Sequence, residues 1–217
     1  MIIRILFGFS FFLRAIAAYS GDMGTMPDAH PLYVGVNGGY GATTWQGLVP
    51  TLDNQNIVLS ISTPVEVQEG GGVWGGMIGF EFSKHWGVEF NYLAYPKAKI
   101  FFDEDSLFAF ENDDQTELET RTEALSLMAK IMLGIPNTAL RAYSSVGVGW
   151  IHRNDDINNV WLVTPSFGVG LNYPLSAHFM GELAANYMSG YGESELSPVM
   201  HYVPFLYAVY ARLAYRI

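Results

Sequence analysis

In the last thirteen residues of the chain, every second position is apolar. The apolar positions are Phe205, Tyr207, Val209, Ala211, Leu213, Tyr215 and Ile217. Arg212 and Arg216 lie on the opposite face. A period of two indicates a β-strand with one apolar face. Since the charge lies on the other face, the pattern is typical of a strand that shows lipid its apolar side within a closed, membrane-spanning sheet.

The composition favours transmembrane strands over transmembrane helices. The chain has 217 residues, of which 50% are hydrophobic, enough for a single domain. Its mean hydropathy is +0.17, yet beyond the N-terminus no uncharged apolar run approaches the ~18 residues of a membrane helix. The sequence contains no cysteine, which excludes disulfide scaffolds and thiolate metal sites.

The first residues have the pattern of a secretory signal peptide. Arg4 precedes an apolar stretch over residues 5–13, and Ala15 and Ala17 form a small-residue cleavage pattern. We predict a signal peptide over residues 1–18 and a short periplasmic segment over residues 19–31. A membrane anchor and a buried N-terminal helix are the alternatives, and Arg14 is unusual in all three. The net charge of −10 argues against nucleic acid as a partner.

Eight segments of the sequence have a period of two. They are residues 32–45, 73–83, 86–95, 123–135, 140–152, 164–173, 178–188 and 205–217. Short turns join the second to the third segment, the fourth to the fifth, and the sixth to the seventh. The other connections, residues 46–72, 96–122, 153–163 and 189–203, are long and polar. This alternation predicts an all-β fold, an eight-stranded antiparallel up-and-down transmembrane β-barrel over residues 32–217, with long loops extracellular and termini periplasmic.

Several segments together resemble a known family. They are YVGVNGGYG at 33–41, GFEFSKHWGVEFNYL at 79–93, RAYSSVGVGW at 141–150, SFGVGLNY at 166–173 and ARLAYRI at 211–217. In order and spacing they resemble the small eight-stranded outer-membrane barrels of the OmpA/OmpX and opacity-antigen type. The resemblance implies a bacterial outer-membrane location and a C-terminal assembly signal, formed here by Tyr207, Val209, Ala211, Leu213, Tyr215 and Ile217. Such barrels commonly end in phenylalanine, so Ile217 predicts weaker recognition by the barrel assembly machinery.

The inward parity of the strands collects seven charged residues. They are Glu81, Glu89, Lys130, Arg141, Glu182, Arg212 and Arg216. Turns centred on His85 and Pro136 would place Glu81 opposite Glu89, and Lys130 opposite Arg141. Like charges side by side need opposite charge from across the lumen, so we predict an ion-pair network that plugs the barrel. The alternative is a gated ion path.

The histidines predict neither a metal site nor an active site. None has metal-ligand spacing with another histidine or a suitable acid, and we expect no cofactor. His152 lies on the lipid-facing parity at the loop end of the fifth segment. Lipid A deacylases are eight-stranded barrels whose catalytic histidine lies two residues before a nucleophilic serine. Asn154 stands at that position here, so the nucleophile is missing and we do not expect an enzyme.

The connection over residues 96–122 carries an acidic stretch and an apolar insert. The acids, among them Asp103, Glu104 and Asp105, indicate a solvated loop or, alternatively, a Ca²⁺ or Mg²⁺ site, but they lack the rhythm of a calcium loop. The insert predicts a contact patch for a host surface or another envelope protein, formed by Phe101, Phe102, Phe108 and Phe110. The alternative is a hairpin that extends the third and fourth strands beyond the membrane.

Four functions are compatible with the sequence. The leading expectation is an outer-membrane surface protein with a structural, adhesion or envelope-integrity role, whose partners are outer-membrane lipid and the barrel assembly machinery. A narrow, porin-like passive channel is the second, and a lipid A-modifying enzyme is the third. The fourth is a soluble, lipocalin-like barrel with its apolar residues inside.

Overall fold

The computed structural model of the protein describes residues 31–49, 63–191 and 198–217. The predicted signal peptide lies outside the described residues, and so does the predicted periplasmic segment except for Pro31. Ten strands, one 3-10 helix and two short α-helices occur in the described part of the chain. The strands are β1 (Leu32–Thr43), β2 (Glu66–Gln68), β3 (Gly71–Glu81), β4 (Trp86–Ala94), β5 (Ala98–Phe101), β6 (Glu117–Gly134), β7 (Arg141–Asn154), β8 (Asn159–Pro174), β9 (Phe179–Met188) and β10 (Leu206–Arg216). The helices are the 3-10 helix Trp45–Leu48, α1 (Leu107–Glu111) and α2 (Pro198–His201).

Eight of the strands close into a barrel. The order around it is β1, β3, β4, β6, β7, β8, β9, β10, and β10 pairs back with β1. Every two neighbouring strands are antiparallel. Apart from the closing pair β10 and β1, neighbours in the barrel also follow each other along the chain, with only β2 and β5 left out. The predicted eight-stranded up-and-down barrel is therefore confirmed. None of the described helices is long and apolar enough to cross a membrane.

The two faces of the wall are the ones that the alternation predicts. On β10 the outward side chains Tyr207, Val209, Leu213 and Tyr215 are exposed, whereas Arg212 and the other inward side chains are buried. Tyr207 and Tyr215 are eight residues apart, about 26 Å along a strand. For a strand tilted by about 40°, this corresponds to about 20 Å along the membrane normal, which is most of the ~25 Å apolar band between aromatic girdles in outer-membrane barrels. The lipocalin-like alternative required the opposite orientation and is wrong.

Two of the short turns are built in the same way. Ser83 lies in the turn between β3 and β4, where its Oγ accepts hydrogen bonds from the backbone N–H groups of His85 and Trp86 at 3.2 and 3.1 Å. Ser176 does the same between β8 and β9, for His178 and Phe179 at 3.3 and 3.0 Å. A serine side chain that bonds to the following backbone stabilises a tight turn, so these serines help to fix the register of both hairpins.

The connection predicted over residues 153–163 is not a long loop. Strands β7 and β8 run to Asn154 and from Asn159, which leaves only four residues between them. Asp155 accepts hydrogen bonds through Oδ1 from the backbone N–H groups of Ile157 and Asn158, at 3.2 and 2.8 Å. The polar composition of residues 153–163 predicted a long loop. An aspartate that accepts hydrogen bonds from the following backbone also stabilises a tight turn, and composition does not distinguish the two.

The connection between β4 and β6 forms a small sheet beyond the barrel wall. Strand β5 pairs with Glu117–Thr120 of β6, and β2 pairs with the other edge of β5. This is the predicted alternative, a hairpin that extends the two barrel strands. On its exposed face Lys97 pairs with Glu119 at 2.5 Å, and Lys99 with Glu117 at 2.7 Å. These contacts lower the pKa of Glu119 and raise the pKa of Lys99.

Candidate functional site in the barrel lumen

Four charged side chains meet near the middle of the lumen. Lys130 Nζ donates to Glu89 Oε1 and to Glu182 Oε2, both at 2.7 Å. Arg212 Nη1 donates to the same two carboxylates, at 3.1 Å to Glu89 and 2.6 Å to Glu182. We call these residues the four-charge cluster. Each carboxylate bridges both cations, and all four side chains are at most 4% exposed, so the cluster is electrically balanced and buried from bulk solvent.

Each acid of the cluster also accepts a tyrosine hydroxyl. Tyr33 donates to Glu89 at 2.7 Å, and Tyr143 donates to Glu182 at 2.5 Å. Each tyrosine ring lies over a glycine of the neighbouring strand, Tyr33 over Gly79 and Tyr143 over Gly170. A Cβ atom at either glycine would lie within about 2.6 Å of the ring. Glycine is therefore required at both positions by the close approach of the aromatic ring.

Two asparagines complete the coordination of Arg212. Its Nε donates to Asn37 Oδ1 and its Nη2 to Asn91 Oδ1, both at 2.8 Å. The Lys130 ammonium lies 3.7 Å from the centre of the Tyr143 ring. These neutral residues were not among the predicted site residues, although the inward parity of β1, β4 and β7 could have identified them. They supply hydrogen bonds that buried charges need in addition to an opposite charge.

A second group of charges lies closer to the short turns. Glu81 accepts from Arg141 Nη1 and Nη2 at 3.1 and 2.8 Å, and from Arg216 Nη2 at 3.1 and 3.2 Å. Arg141 Nε donates to Asn172 at 2.9 Å. We call Glu81, Arg141 and Arg216 the Glu81 cluster. The structure thus brings all seven predicted residues together as two clusters.

The pairs of like charge that the sequence predicted across two hairpins do not form. Glu81 faces Gly87 and Glu89 faces Gly79, because the Ser83 turn sets a different register from one centred on His85. Lys130 likewise faces Ser145.

The register of the second hairpin follows from a longer turn. Arg141 faces Gly134, and Ile135 N donates to Leu140 O at 2.9 Å. Asn137 has a left-handed conformation, with a φ of 61°, which asparagine tolerates. Both registers keep like charges apart. Opposite charges then pair between neighbouring strands, as Arg212 does with Glu182, and across the lumen, as Lys130 does with Glu182.

An apolar layer fills the lumen between the four-charge cluster and the long connections. It consists of inward side chains that include Val73, Leu93, Ala124, Ile151, Met188 and Leu206. All of them are at most 2% exposed. The predicted network of charges therefore accounts for only part of the lumen.

A cap of loop residues lies beyond the apolar layer. Arg153 donates from Nη1 to the backbone oxygens of Val199 and Tyr202, both at 2.7 Å, and from Nε to Asp155 at 2.5 Å. Its guanidinium lies 4.6 Å from the centre of the Trp45 ring. The side chain of Arg153 is only 1% exposed. This role was not predicted, because a polar residue beside Asn154 and Asp155 suggested a solvated loop.

The predicted contact patch is wrong for two of its four phenylalanines. Phe102 and Phe108 are buried in the core of the cap, where their rings stack at 3.9 Å. Ser106 caps α1 by accepting from Ala109 N at 3.1 Å, and this short helix directs Phe108 inward. Phe101 is half-buried, and Phe110 alone of the four is fully accessible, at 83% exposure.

His152 has an acidic neighbour that the sequence did not reveal. Its Nδ1 lies 3.8 Å from Glu123 Oε2, its Nε2 is 2.9 Å from Asn159 Oδ1, and its ring stacks on Trp161 at 4.3 Å. No serine or threonine hydroxyl is among these contacts. No group of three or more histidine, aspartate or glutamate side chains within the described ranges could hold a metal ion.

The fold and the lumen together define a class of protein. An antiparallel barrel with an apolar outer surface and buried ion pairs inside is a β-barrel of the outer-membrane type. The sequence model of the outer membrane protein beta-barrel domain family matches residues 13–201. The chain belongs to this family and is an outer-membrane protein.

Solved structures of outer-membrane proteins have the same fold. The outer membrane protein OprG from Pseudomonas aeruginosa is 12% identical, with a TM-score of 0.52 over 89% of this chain and 100% of that chain. Neisserial surface protein A is 8% identical, with a TM-score of 0.51 over 86% of this chain and 97% of the other. The outer membrane protein AlkL, solved in DMPC lipid bilayers, is 14% identical, with a TM-score of 0.52 over 90% and 95%. No curated protein gives a significant match.

Proposed function

We infer that the protein is a surface-exposed structural and contact protein of the outer membrane, and that its lumen is plugged. The observation that carries this proposal is the four-charge cluster, in which Lys130 and Arg212 each bind both Glu89 and Glu182. A hydrated ion that crossed this level would have to separate several buried charge pairs. Removing one partner of such a pair typically costs about 3–5 kcal/mol.

Two further levels support a plugged lumen. The Glu81 cluster lies on one side of the four-charge cluster, and the apolar layer lies on the other. The apolar side chains of this layer do not favour the passage of hydrated ions. The stacked levels favour a structural interior over a transport path.

The second candidate is a narrow passive channel. It is favoured by the charged lining of the half of the lumen near the short turns, where the Arg141 side chain is 21% exposed and accessible to water. Recordings from purified protein in planar lipid bilayers separate the two candidates. A plugged lumen predicts no stepwise conductance for the wild type. Regular conductance steps that scale with salt concentration would refute the plug and favour the channel.

The extension made by β2, β5 and the start of β6 is the proposed contact surface. Its core is packed by Ile100, Leu118, Phe102 and Phe108, so it is a folded platform that carries exposed acidic side chains and Phe110. Folded platforms present side chains to a partner at low entropic cost. We propose that a host surface or another envelope protein binds here, and that the protein has no enzymatic activity.

This role requires that the long connections face the cell exterior. Lys97 and Lys99 are exposed on the extension, with side-chain exposures of 61% and 46%, whereas Lys84 is exposed in a short turn at the opposite rim. We expect a membrane-impermeant amine reagent to label Lys97 and Lys99 in intact cells, and Lys84 only after lysis. Labelling of Lys84 alone in intact cells would reverse the orientation and rule out the contact role.

A further inference from the structure

A groove runs along the lipid-facing wall over strands β8, β9 and β10. Its volume is about 320 Å³. The outward-facing residues that line it are Phe167, Val169, Ala185, Tyr187, Tyr207 and Val209. Ligand pockets in proteins begin at roughly 300 Å³, so the groove is large enough to hold part of a small molecule.

The depth of the groove is set by one small residue. Ala185 pairs with Val169 on one side and with Val209 on the other. The two valines are 56% and 62% exposed, whereas Ala185 is half-buried. The methyl group of Ala185 therefore forms the floor between two protruding walls.

Larger side chains bound the groove at both ends. In the row nearer the long connections, Tyr187 pairs with Phe167 and with Tyr207. In the row nearer the short turns, Leu183 is 64% exposed. The groove thus begins at an aromatic girdle and points into the apolar band.

The side chains that line the groove are almost entirely apolar. The two tyrosine hydroxyls are the only polar side-chain groups among the six outward-facing residues, and both lie at the girdle end. The one inward-facing polar residue beside the groove is Asn186, which is buried and donates to Ser166 at 3.4 Å. Water does not fill an apolar groove of this kind, and an unfilled groove would forfeit dispersion contacts.

We propose that this groove binds one acyl chain of a membrane lipid from the leaflet next to the long connections. The groove is continuous with the lipid-facing band, so its occupant comes from the bilayer. A flexible linear chain fits a narrow trough between two valines, and the tyrosine hydroxyls at its end lie where the ester and headgroup region begins. This inference depends on the outer-membrane location and is independent of the state of the lumen.

Native mass spectrometry of the full chain released from DMPC nanodiscs tests the proposal. We expect the wild type to retain one DMPC molecule under activation that strips the remaining lipid. The substitution Ala185→Phe fills the trough and is expected to lower the lipid-bound fraction at least tenfold. Ala211→Leu enlarges an outward-facing alanine on β10 that does not line the groove, and it should retain lipid as the wild type does.

Three outcomes would overturn the proposal. The first is that the wild type and Ala185→Phe retain DMPC equally. The second is that Ala211→Leu loses as much DMPC as Ala185→Phe does. The third is that the wild type leaves the nanodisc without bound DMPC or as a dimer. Heat-dependent electrophoretic mobility of both variants, compared with the wild type, shows that each barrel is folded. Conductance and surface labelling do not report on this groove. A negative result in the lipid-retention experiment therefore leaves the proposed function intact.

Discussion

Glu182 and Arg212 face each other directly across strands β9 and β10, and Arg212 Nη1 donates to the carboxylate over 2.6 Å. The same carboxylate binds Lys130 from the far side of the lumen. A single cross-strand pair is thereby linked to a third strand, β6. Glu182 therefore connects distant parts of the wall through the interior, and we expect its removal to lower the stability of the whole barrel.

The substitution Glu182→Gln should destabilise the barrel by about 3–5 kcal/mol, because it leaves excess positive charge in the buried four-charge cluster. Urea unfolding in lipid vesicles, followed by tryptophan fluorescence, measures the change. Glu119→Gln is the matched control, since its ion pair with Lys97 is exposed and should contribute nothing measurable. Equal unfolding midpoints for Glu182→Gln and the wild type would show that water compensates the lost charge.

The double variant Glu182→Gln, Lys130→Met should be more stable than the sum of its single substitutions predicts. Each single change leaves a charge without its partner, whereas the double change removes one charge of each sign. A double-mutant cycle from the same unfolding experiment gives the coupling free energy. Strict additivity would mean that the two side chains do not interact in the folded barrel.

Gly79→Ala should displace the Tyr33 ring and break its hydrogen bond to Glu89, because a Cβ atom at residue 79 collides with that ring. A hydrogen bond to a charged group contributes about 1.5–3 kcal/mol, and we expect a loss of at least this size. Gly38→Ala is the control, as a Cβ there meets nothing within 4 Å. Equal stability of the two variants would contradict the requirement for glycine at residue 79.

Phe108→Ala and Phe110→Ala distinguish a buried cap from an exposed patch. Phe108 stacks on Phe102 in the core of the cap, so its removal should cost about 3–5 kcal/mol of local stability. Phe110 is 83% exposed, and its removal should change stability by less than about 0.5 kcal/mol. Hydrogen exchange of residues 98–120 measures both effects. Comparable protection in the two variants would contradict the burial of Phe108.

Ser83→Ala and Ser176→Ala should each destabilise their hairpin by about 1 kcal/mol, the usual net contribution of a hydrogen bond. The two turns belong to separate hairpins, so the effects should add in the double variant. The midpoint of urea unfolding reports the sum. Values that do not add would indicate that the two turns are energetically coupled.

The sequence by itself determined the fold and the orientation of the wall. Side chains on a strand alternate strictly, so the positions of Leu213 and Arg212 required opposite surroundings, and lipid outside with charge inside satisfied both. The same parity placed all seven charged residues in the lumen. This pattern is local, and it needs no knowledge of which strands meet.

Only the tertiary structure decided which charges pair and what closes the mouth of the barrel. Register depends on turn hydrogen bonds such as those of Ser83, and a shift of two residues changes every cross-strand partner while leaving the parity intact. Phe108 and Arg153 are buried because loops distant in sequence meet over the barrel, as when Arg153 binds Val199 O. Those contacts follow from packing between non-local segments, and a one-dimensional pattern of polarity does not encode them.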